Sequence, residues 1–412
     1  MPSSSTLPTR CCIAGGGPAG MMLGLLLARA GVGVTVLEKH SDFFRDFRGD
    51  TVHPSTLQVM DDLGLLEDFL ARPHDKAREI KVRFRDGEAV LADFSRLRTR
   101  CGFIAMVPQW EFLDFLRVQA QRYPTFRLLM NAQATGVIEQ GGRVSGVRVS
   151  TPEGELELPA DLVVAADGRH STLRDAAGLR VRNLGAPMDA LWMRISRGPG
   201  DPVGSGGAVG AGRLLATIDR GSYWQCAYII PKGGFDALRG RGLAAFHADV
   251  ASLAPHFAPR LAQEVADWEQ VKLLVVTVDR LEQWWRPGLL CIGDAAHAMS
   301  PIGGLGINLA VQDAVAAANL LAAPLADAKL PADAITPWLA RVQARRLWPT
   351  RVTQAGQVAA QNRIIDPLLD ATEAPAMPLP VRVINAVPAL QSMLAYAIGV
   401  GARPERVRSP VG

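Results

Sequence analysis

The stretch Arg10-Cys11-Cys12-Ile13-Ala14-Gly15-Gly16-Gly17-Pro18-Ala19-Gly20 runs into an apolar segment, Met21 to Ala30, and then into Gly33-Val34-Thr35-Val36-Leu37-Glu38. It reads as strand, glycine turn, helix and second strand, one complete βαβ unit. Gly15 permits the tight turn, Gly17 lets a pyrophosphate approach the backbone, and Gly20 lets the helix lie close to the strand. Pro18 and Ala19 open that helix, whose N-terminus favours phosphate charge. Glu38 lies 18 residues past Gly20, where an acidic side chain, followed by Lys39, can accept hydrogen bonds from a ribose. A glycine turn alone is a weak signal; with strand, helix and terminal acid all in place it indicates dinucleotide binding.

This motif does not separate FAD from NAD, and two later stretches decide the matter. Asp161-Leu162-Val163-Val164-Ala165-Ala166-Asp167-Gly168 is an apolar strand entering an Asp-Gly turn, with Ser171 placed to cap a helix. Gly288-Leu289-Leu290-Cys291-Ile292-Gly293-Asp294 is a second buried strand ending in Gly-Asp. A glycine-rich loop through Pro301, Gly303 and Gly304 and an Ala-rich helix follow it. Asp294 can bind ribityl or ribose hydroxyls. The amides of Gly304, Leu305, Gly306, Ile307 and Asn308 open a helix aimed at a phosphate or at a flavin's pyrimidine edge.

Together the GGGPAG turn with Glu38, Asp167-Gly168 and Gly293-Asp294 resemble the group A flavoprotein hydroxylases, the para-hydroxybenzoate hydroxylase-like family of FAD-dependent aromatic monooxygenases. The resemblance implies an α/β fold: a Rossmann-like, glutathione reductase-type FAD-binding domain in three pieces, residues 1–74, 102–180 and 280–345. An antiparallel-sheet α+β substrate domain, residues 75–101 and 181–279, is interleaved with it, and a helical region, residues 346–412, follows. It further implies that Arg48 and Gln109 contact the flavin or its diphosphate and that the backbone near Ala134 meets the adenine. NADH or NADPH would reduce the flavin transiently, without a nicotinamide domain of its own, and Arg169 and Arg174 would help it dock. Reduced flavin and O2 would give a C4a-hydroperoxide that hydroxylates an electron-rich ring. Pro301 and Gly303 would wall that oxygen pocket.

The rest of the chain agrees with such an enzyme. The formal net charge is +4, from 44 basic and 40 acidic residues dispersed without a basic block, so a nucleic-acid partner is not expected. Cys11, Cys12, Cys101, Cys226 and Cys291 lack metal-ligand spacing and read as reduced, buried cytoplasmic thiols; no metal is expected. No apolar run reaches the length of a membrane span, since Ala314–Ala326 is broken by Asn319 and Pro324.

Strand-like alternation occurs at residues 79–84, 190–195, 213–218, 223–230 and 271–278, a Gly/Pro-rich loop at 198–212, and helices at 233–267. Residues 379–400 read as helix packed on the FAD domain. His53, Trp192, Tyr223, Gln225 and Tyr228 offer rings or polar tips to an aromatic substrate. Yet one face of the 223–228 strand must be core or solvent, and His53 can equally cap the helix that follows it. His297 reads as a packed histidine, and Trp284-Trp285 as packing at a domain hinge. Three other readings remain open: a flavin-dependent halogenase, although no Trp-x-Trp-x-Ile-Pro segment occurs; an FAD-dependent reductase or cyclase of an isoprenoid lipid; and a binding protein that keeps the fold without turnover.

Overall fold

A computed structural model describes residues 9–44 and 51–412. Its first sheet has the order Trp285–Arg286, Leu289–Cys291, Leu162–Ala165, Cys11–Ala14, Val34–Leu37, Phe126–Leu129, parallel except for the first strand. The four inner strands are short apolar runs buried on both faces, as parallel sheets require, while the two edge strands are partly exposed. On one face lie the helices Pro18–Arg29, Gln109–Ala120 and Gly306–Ala326, which share a single core with it. On the other lies an antiparallel meander, Gln133–Gln140, Arg143–Thr151 and Gly154–Pro159. Helix Pro18–Arg29 starts with proline at its first turn and buries ten consecutive residues, Ala19 to Ala28. Such a helix fits against a sheet only if its contact side is nearly flat: a Cβ at Gly24 would sit 2.8 Å from Val36 Cγ2.

The second layer is a seven-stranded sheet: Lys272–Leu274, Met188–Ser196, Tyr223–Pro231, Arg213–Asp219, Gly206–Gly210, Glu79–Phe84, Gly87–Asp93. Its pairings are antiparallel except between Gly206–Gly210 and Glu79–Phe84. Two sequence expectations are corrected here. The Gly/Pro-rich stretch 198–212 is not loop throughout, because Gly206–Gly210 is drawn into the ladder by neighbours on both sides. The 271–278 stretch is strand only over Lys272–Leu274. One face of this sheet, carrying Trp224, Cys226, Tyr228 and Ile230, is covered by helices Leu243–Leu253 and Ala258–Glu264.

Helices Leu379–Ala386 and Pro388–Gly399 turn through 100° and lie against the Gly87–Asp93 strand and Phe94. They therefore pack chiefly on the antiparallel sheet, where the sequence had suggested the FAD domain. The end of Pro388–Gly399 touches the parallel-sheet layer through Ile398, which packs on Leu305 and Leu309, and the residues beyond it return there. Arg406 grips Asp62 with three hydrogen bonds of 2.6–2.9 Å, and the Gly412 amide donates to Arg29 O at 2.9 Å. The expectation that Asn319 and Pro324 break the Ala314–Ala326 run is corrected: helix Gly306–Ala326 passes through both, and among the described residues the segment Ile302–Ala326 is long and apolar enough to cross a membrane. Its most apolar window is 72% buried within the protein, as a core helix would be.

Candidate active site

The carboxyl ends of four parallel strands converge, the position at which such sheets bind ligands. Cys11–Ala14 delivers the triple-glycine turn, Val34–Leu37 delivers Glu38, Leu162–Ala165 delivers Asp167-Gly168, and Leu289–Cys291 delivers Gly293-Asp294. The three glycines differ in what surrounds them. Gly15 has φ +108°, and a Cβ there would lie 2.2 Å from Ala166 O, so this turn passes directly under the Asp-Gly loop. A Cβ at Gly20 would lie 1.9 Å from Gly15 O, whereas none of the described residues comes within 4 Å of the Cβ position at Gly17. The first and last glycines are thus required by packing, and the middle one faces open space at the N-terminus of a helix.

Glu38 accepts hydrogen bonds from the amides of Gly16 and His40, both at 3.1 Å. Lys39 is exposed beside it. Asp167 accepts from the Leu173 amide at 3.3 Å, while its Oδ1 is buried with no partner among the described residues. Burial pushes its carboxyl up, against the opposing pull of Ser171 and the amides that follow. Ser171 caps the Thr172–Ala176 helix as the sequence indicated, accepting from the Arg174 amide at 3.1 Å. Arg169 Nη2 stands 3.6 Å from Asp294 Oδ2 and its Nη1 donates to Val275 O, linking the Asp-Gly and Gly-Asp loops to the edge of the second sheet. The Arg174 side chain is 8% exposed and bonded to Arg169 O and Asp175. It shapes the loop from inside and is not presented for docking a reductant.

The Pro301–Asn308 segment is held from the other side. Gly303 and Gly304 both have positive φ. Thr51 Oγ1 donates to Gly304 O at 2.9 Å, and a Cβ on Gly304 would strike that hydroxyl. Asn308 Oδ1 accepts from the His53 amide (3.1 Å) and from Thr56 Oγ1 (2.6 Å), so the start of the Gly306–Ala326 helix is fixed. Leu305, Gly306 and Ile307 lie within this braced turn. His53 is fully buried, with Nδ1 at 2.9 Å from Ile398 O, so this ring bonds to the C-terminal helix. Burial pushes its pKa down to about 4, against the pull of the Ile398 carbonyl. Gln109 opens the Gln109–Ala120 helix and Ala134 lies near the start of the Gln133–Gln140 strand; Arg48 lies outside the described residues.

The substrate candidates separate by face. Tyr228 points away from the Pro301 loop: it packs edge-on against Phe246 with ring centroids 5.3 Å apart, and its hydroxyl reaches Asp249 at 3.4 Å. This corrects its placement in the pocket; alternation shows two faces but not which of them the helices cover. Gln225 and Trp192 lie on the opposite face, the one that meets Ile302. Tyr223 is on that face too, at the strand's outer end, half-exposed under the Arg194 guanidinium.

The sequence did not reveal a buried ionic chain behind the Gly-Asp loop. Asp313 Oδ2 accepts from the Gly293 amide at 3.1 Å and lies 2.6 Å from His297 Nε2; Asp313 Oδ1 accepts from Arg346 Nε at 2.9 Å. Arg346 Nη1 continues to Glu405 Oε1 at 3.5 Å, and Arg345 holds the same carboxylate at 2.6 and 3.0 Å. Asp313, His297, Arg346 and Glu405 are all at most 5% exposed. Burial works against the Asp313 anion, yet His297 and Arg346 hold its carboxyl below the ordinary range. The available signal was an aspartate in the middle of an apolar, alanine-rich helix, a position that demands a partner.

Comparison with known proteins agrees with this geometry. Residues 8–331 match the family described as FAD binding domain. The 6-methylpretetramide 4-monooxygenase of Streptomyces rimosus is 32% identical over 99% of this chain and 96% of its own length. The para-nitrophenol 4-monooxygenase of Pseudomonas sp. strain WBC-3 is 26% identical over 76% of this chain and 77% of its own. In fold, the anhydrotetracycline hydroxylase OxyS of S. rimosus superposes with a TM-score of 0.68, at 23% identity, over 95% of this chain and 76% of that one.

Proposed function

The chain belongs to the FAD binding domain family, among the para-hydroxybenzoate hydroxylase-like flavoprotein monooxygenases, and from that premise we propose that it draws electrons from NADH or NADPH to hydroxylate an aromatic ring with O2. The observation that carries this reading is the meeting of three loops around an open cradle. Gly15 lies against Ala166, Gly293 lies against Ala19, and Arg169 approaches Asp294. Among the described residues nothing approaches the Cβ position of Gly17, and Asp167 Oδ1 has no partner. A dinucleotide fits such a surface: it brings a diphosphate to the Gly17 amide and hydroxyls to the carboxylates.

In this reading Glu38 exchanges its two backbone amides for ribose hydroxyls, with Lys39 at the rim and the Ala134 backbone by the adenine. Gly15 to Gly20 receive the diphosphate, joined by Arg48 and Gln109. Asp294 holds the ribityl chain, supported by Asp167-Gly168. The amides from Gly304 to Asn308 meet the pyrimidine edge, pre-set by Thr51, His53 and Thr56. When bound, FAD would supply a reducible ring that activates O2 at its C4a position for transfer of one oxygen atom. Pro301 and Gly303 would border that position with apolar atoms and exclude water. Arg169 would meet the reductant at the mouth. We assign 1–74, 102–180 and 280–345 to the FAD-binding part and 75–101 and 181–279 to the substrate-binding part. The named relatives act on a pretetramide and a nitrophenol, and the substrate here is placed in the same broad class of oxygenated aromatics.

The test is NAD(P)H oxidation and oxygen uptake by the purified yellow protein, with and without phenols, aromatic acids and fused-ring phenols, while hydrogen peroxide is measured. Ligand-stimulated uptake with little peroxide and a product heavier by one oxygen atom is expected. FAD retention with no stimulated uptake across the panel would overturn the reading.

A further inference from the structure

The face of the seven-stranded sheet turned to the Pro301 loop has an unusual composition. At its centre lie Ala190, Trp192, Ala216, Ile218, Gln225 and Ala227, between Ile302 on one side and Ile398 on the other. The alanines leave a flat floor, bordered by Leu369 and Ile365, which pack in the same apolar cluster. Two N–H donors stand on this floor with no acceptor among the described residues: Trp192 Nε1 and Gln225 Nε2 are both buried and without a hydrogen bond, and Gln225 as a whole is only 5% exposed. Trp192 faces Ala227 across the ladder, and Gln225 faces Arg194 and Ile218. The pair are therefore diagonal neighbours on adjacent strands, roughly 7–8 Å apart at Cα.

A buried donor left unmade is costly and therefore scarce in folded proteins. Two side by side, both facing the flavin-loop side of the sheet, are explained if a ligand completes them. The polar side chains that the same strand turns to the opposite face are paired, Trp224 Nε1 with Asp201 and the Tyr228 hydroxyl with Asp249, so within the Tyr223–Pro231 strand the unpaired donor lies on the side where a substrate would lie.

We infer that Trp192 and Gln225 form a donor pair that binds ketone or phenol oxygens along one edge of a planar, fused-ring aromatic substrate lying on the alanine floor. This inference rests on the monooxygenase reading and adds to it the pair that selects which ring carbon is turned toward Pro301 and Gly303. A neutral indole and a neutral amide suit uncharged oxygens, and the guanidinium next along this face, Arg194, is stacked over Tyr223 at the strand's outer end.

The experiment uses FAD-loaded protein with 1,8-dihydroxyanthraquinone, which carries oxygens along one edge, and acridine, a planar three-ring compound without oxygen. Binding is read from the perturbed flavin absorbance of the wild type, Trp192→Phe and Gln225→Leu. Each substitution is expected to weaken the dihydroxyanthraquinone about tenfold, near 1.4 kcal/mol, and to leave acridine within twofold. Wild-type affinity for the quinone in both variants, equal losses for the two probes, or no quinone binding by the wild type would each overturn the pair. FAD content and NADH-driven flavin reduction, measured on the same samples, report separately on the monooxygenase reading, which would stand if they were intact.

Discussion

Substituting alanine at Gly17 and at Gly20 adds the same single carbon three residues apart, and the structure gives the two substitutions opposite consequences. At Gly20 the new Cβ would fall 1.9 Å from the Gly15 carbonyl oxygen, so helix and turn must part by more than an ångström. The helix is buried along ten consecutive residues and cannot retreat without opening a gap along the sheet. Overpacking of this kind costs about 1–3 kcal/mol, and the rigid backbone on both sides places Gly20→Ala at the upper end, a fall of roughly 5 °C in melting temperature. At Gly17 none of the described residues lies within 4 Å of the Cβ position, and φ −75°, ψ −176° suits alanine. Its cost to the apoprotein should stay below about 1 kcal/mol, the scale of a helix N-cap change. The methyl group stands instead where a diphosphate would approach, so FAD affinity should fall at least about tenfold. Melting of FAD-free protein and flavin-fluorescence titration separate the two effects. If Gly17→Ala destabilised the apoprotein as much as Gly20→Ala, or bound FAD like the wild type, the reasoning would fail.

Asp313→Asn removes the carboxylate that neutralises Arg346 inside the core and should destabilise the protein by about 3–5 kcal/mol, read by urea unfolding. Because the Asp313 pKa is lowered by folding, the wild type should gain this contribution above the ordinary carboxylate range and lose it as pH falls through the depressed folded value. The asparagine variant should lack that acid-side loss. His53 has its pKa pushed down to about 4 from 6.5. The unfolded chain therefore takes up the proton first, and stability should decline between pH 6.5 and 4 by up to about 3 kcal/mol. His53→Gln should flatten that part of the profile, and an unchanged slope would exclude this residue as its source. Tyr228→Phe, which changes only a hydroxyl facing Asp249 beneath the helices, should leave kcat/KM for any hydroxylated substrate within about threefold; a loss of tenfold or more would return Tyr228 to the pocket.

How far the sequence could be read follows from how local each feature is. The amino-terminal βαβ unit declares itself because its strand, turn and helix are contiguous and its glycines have contacts only glycine tolerates. The Asp-Gly and Gly-Asp loops are equally local, each a strand end followed by a capped or glycine-rich turn. Gly206–Gly210 was illegible because Gly-Gly-Ala-Val-Gly has no side-chain alternation to display; its conformation is imposed by Val82 and Leu215 on neighbouring strands. The orientation of the Tyr223–Pro231 strand was hidden for a related reason. Alternation separates Gln225 from Tyr228, but only the helices at 243–264 decide which side is roofed. The Asp313 chain was least accessible, since its members come from three separate parts of the sequence and meet only after the C-terminal segment has folded back.

That return path has a consequence for the order of assembly. The cofactor cradle is composed mostly of residues that leave the ribosome early, yet the carboxylate closing the ionic chain behind Gly293, Glu405, is made near the end of the described chain. A nascent or proteolysed polypeptide stopping just short of it would contain every motif residue of the cradle and would still hold Arg346 without its second counter-ion. Arrival of the segment that carries Glu405 is thus itself a checkpoint on the rigidity of the Gly-Asp loop. Limited proteolysis near residue 400 should release bound FAD before it unfolds the sheet beneath.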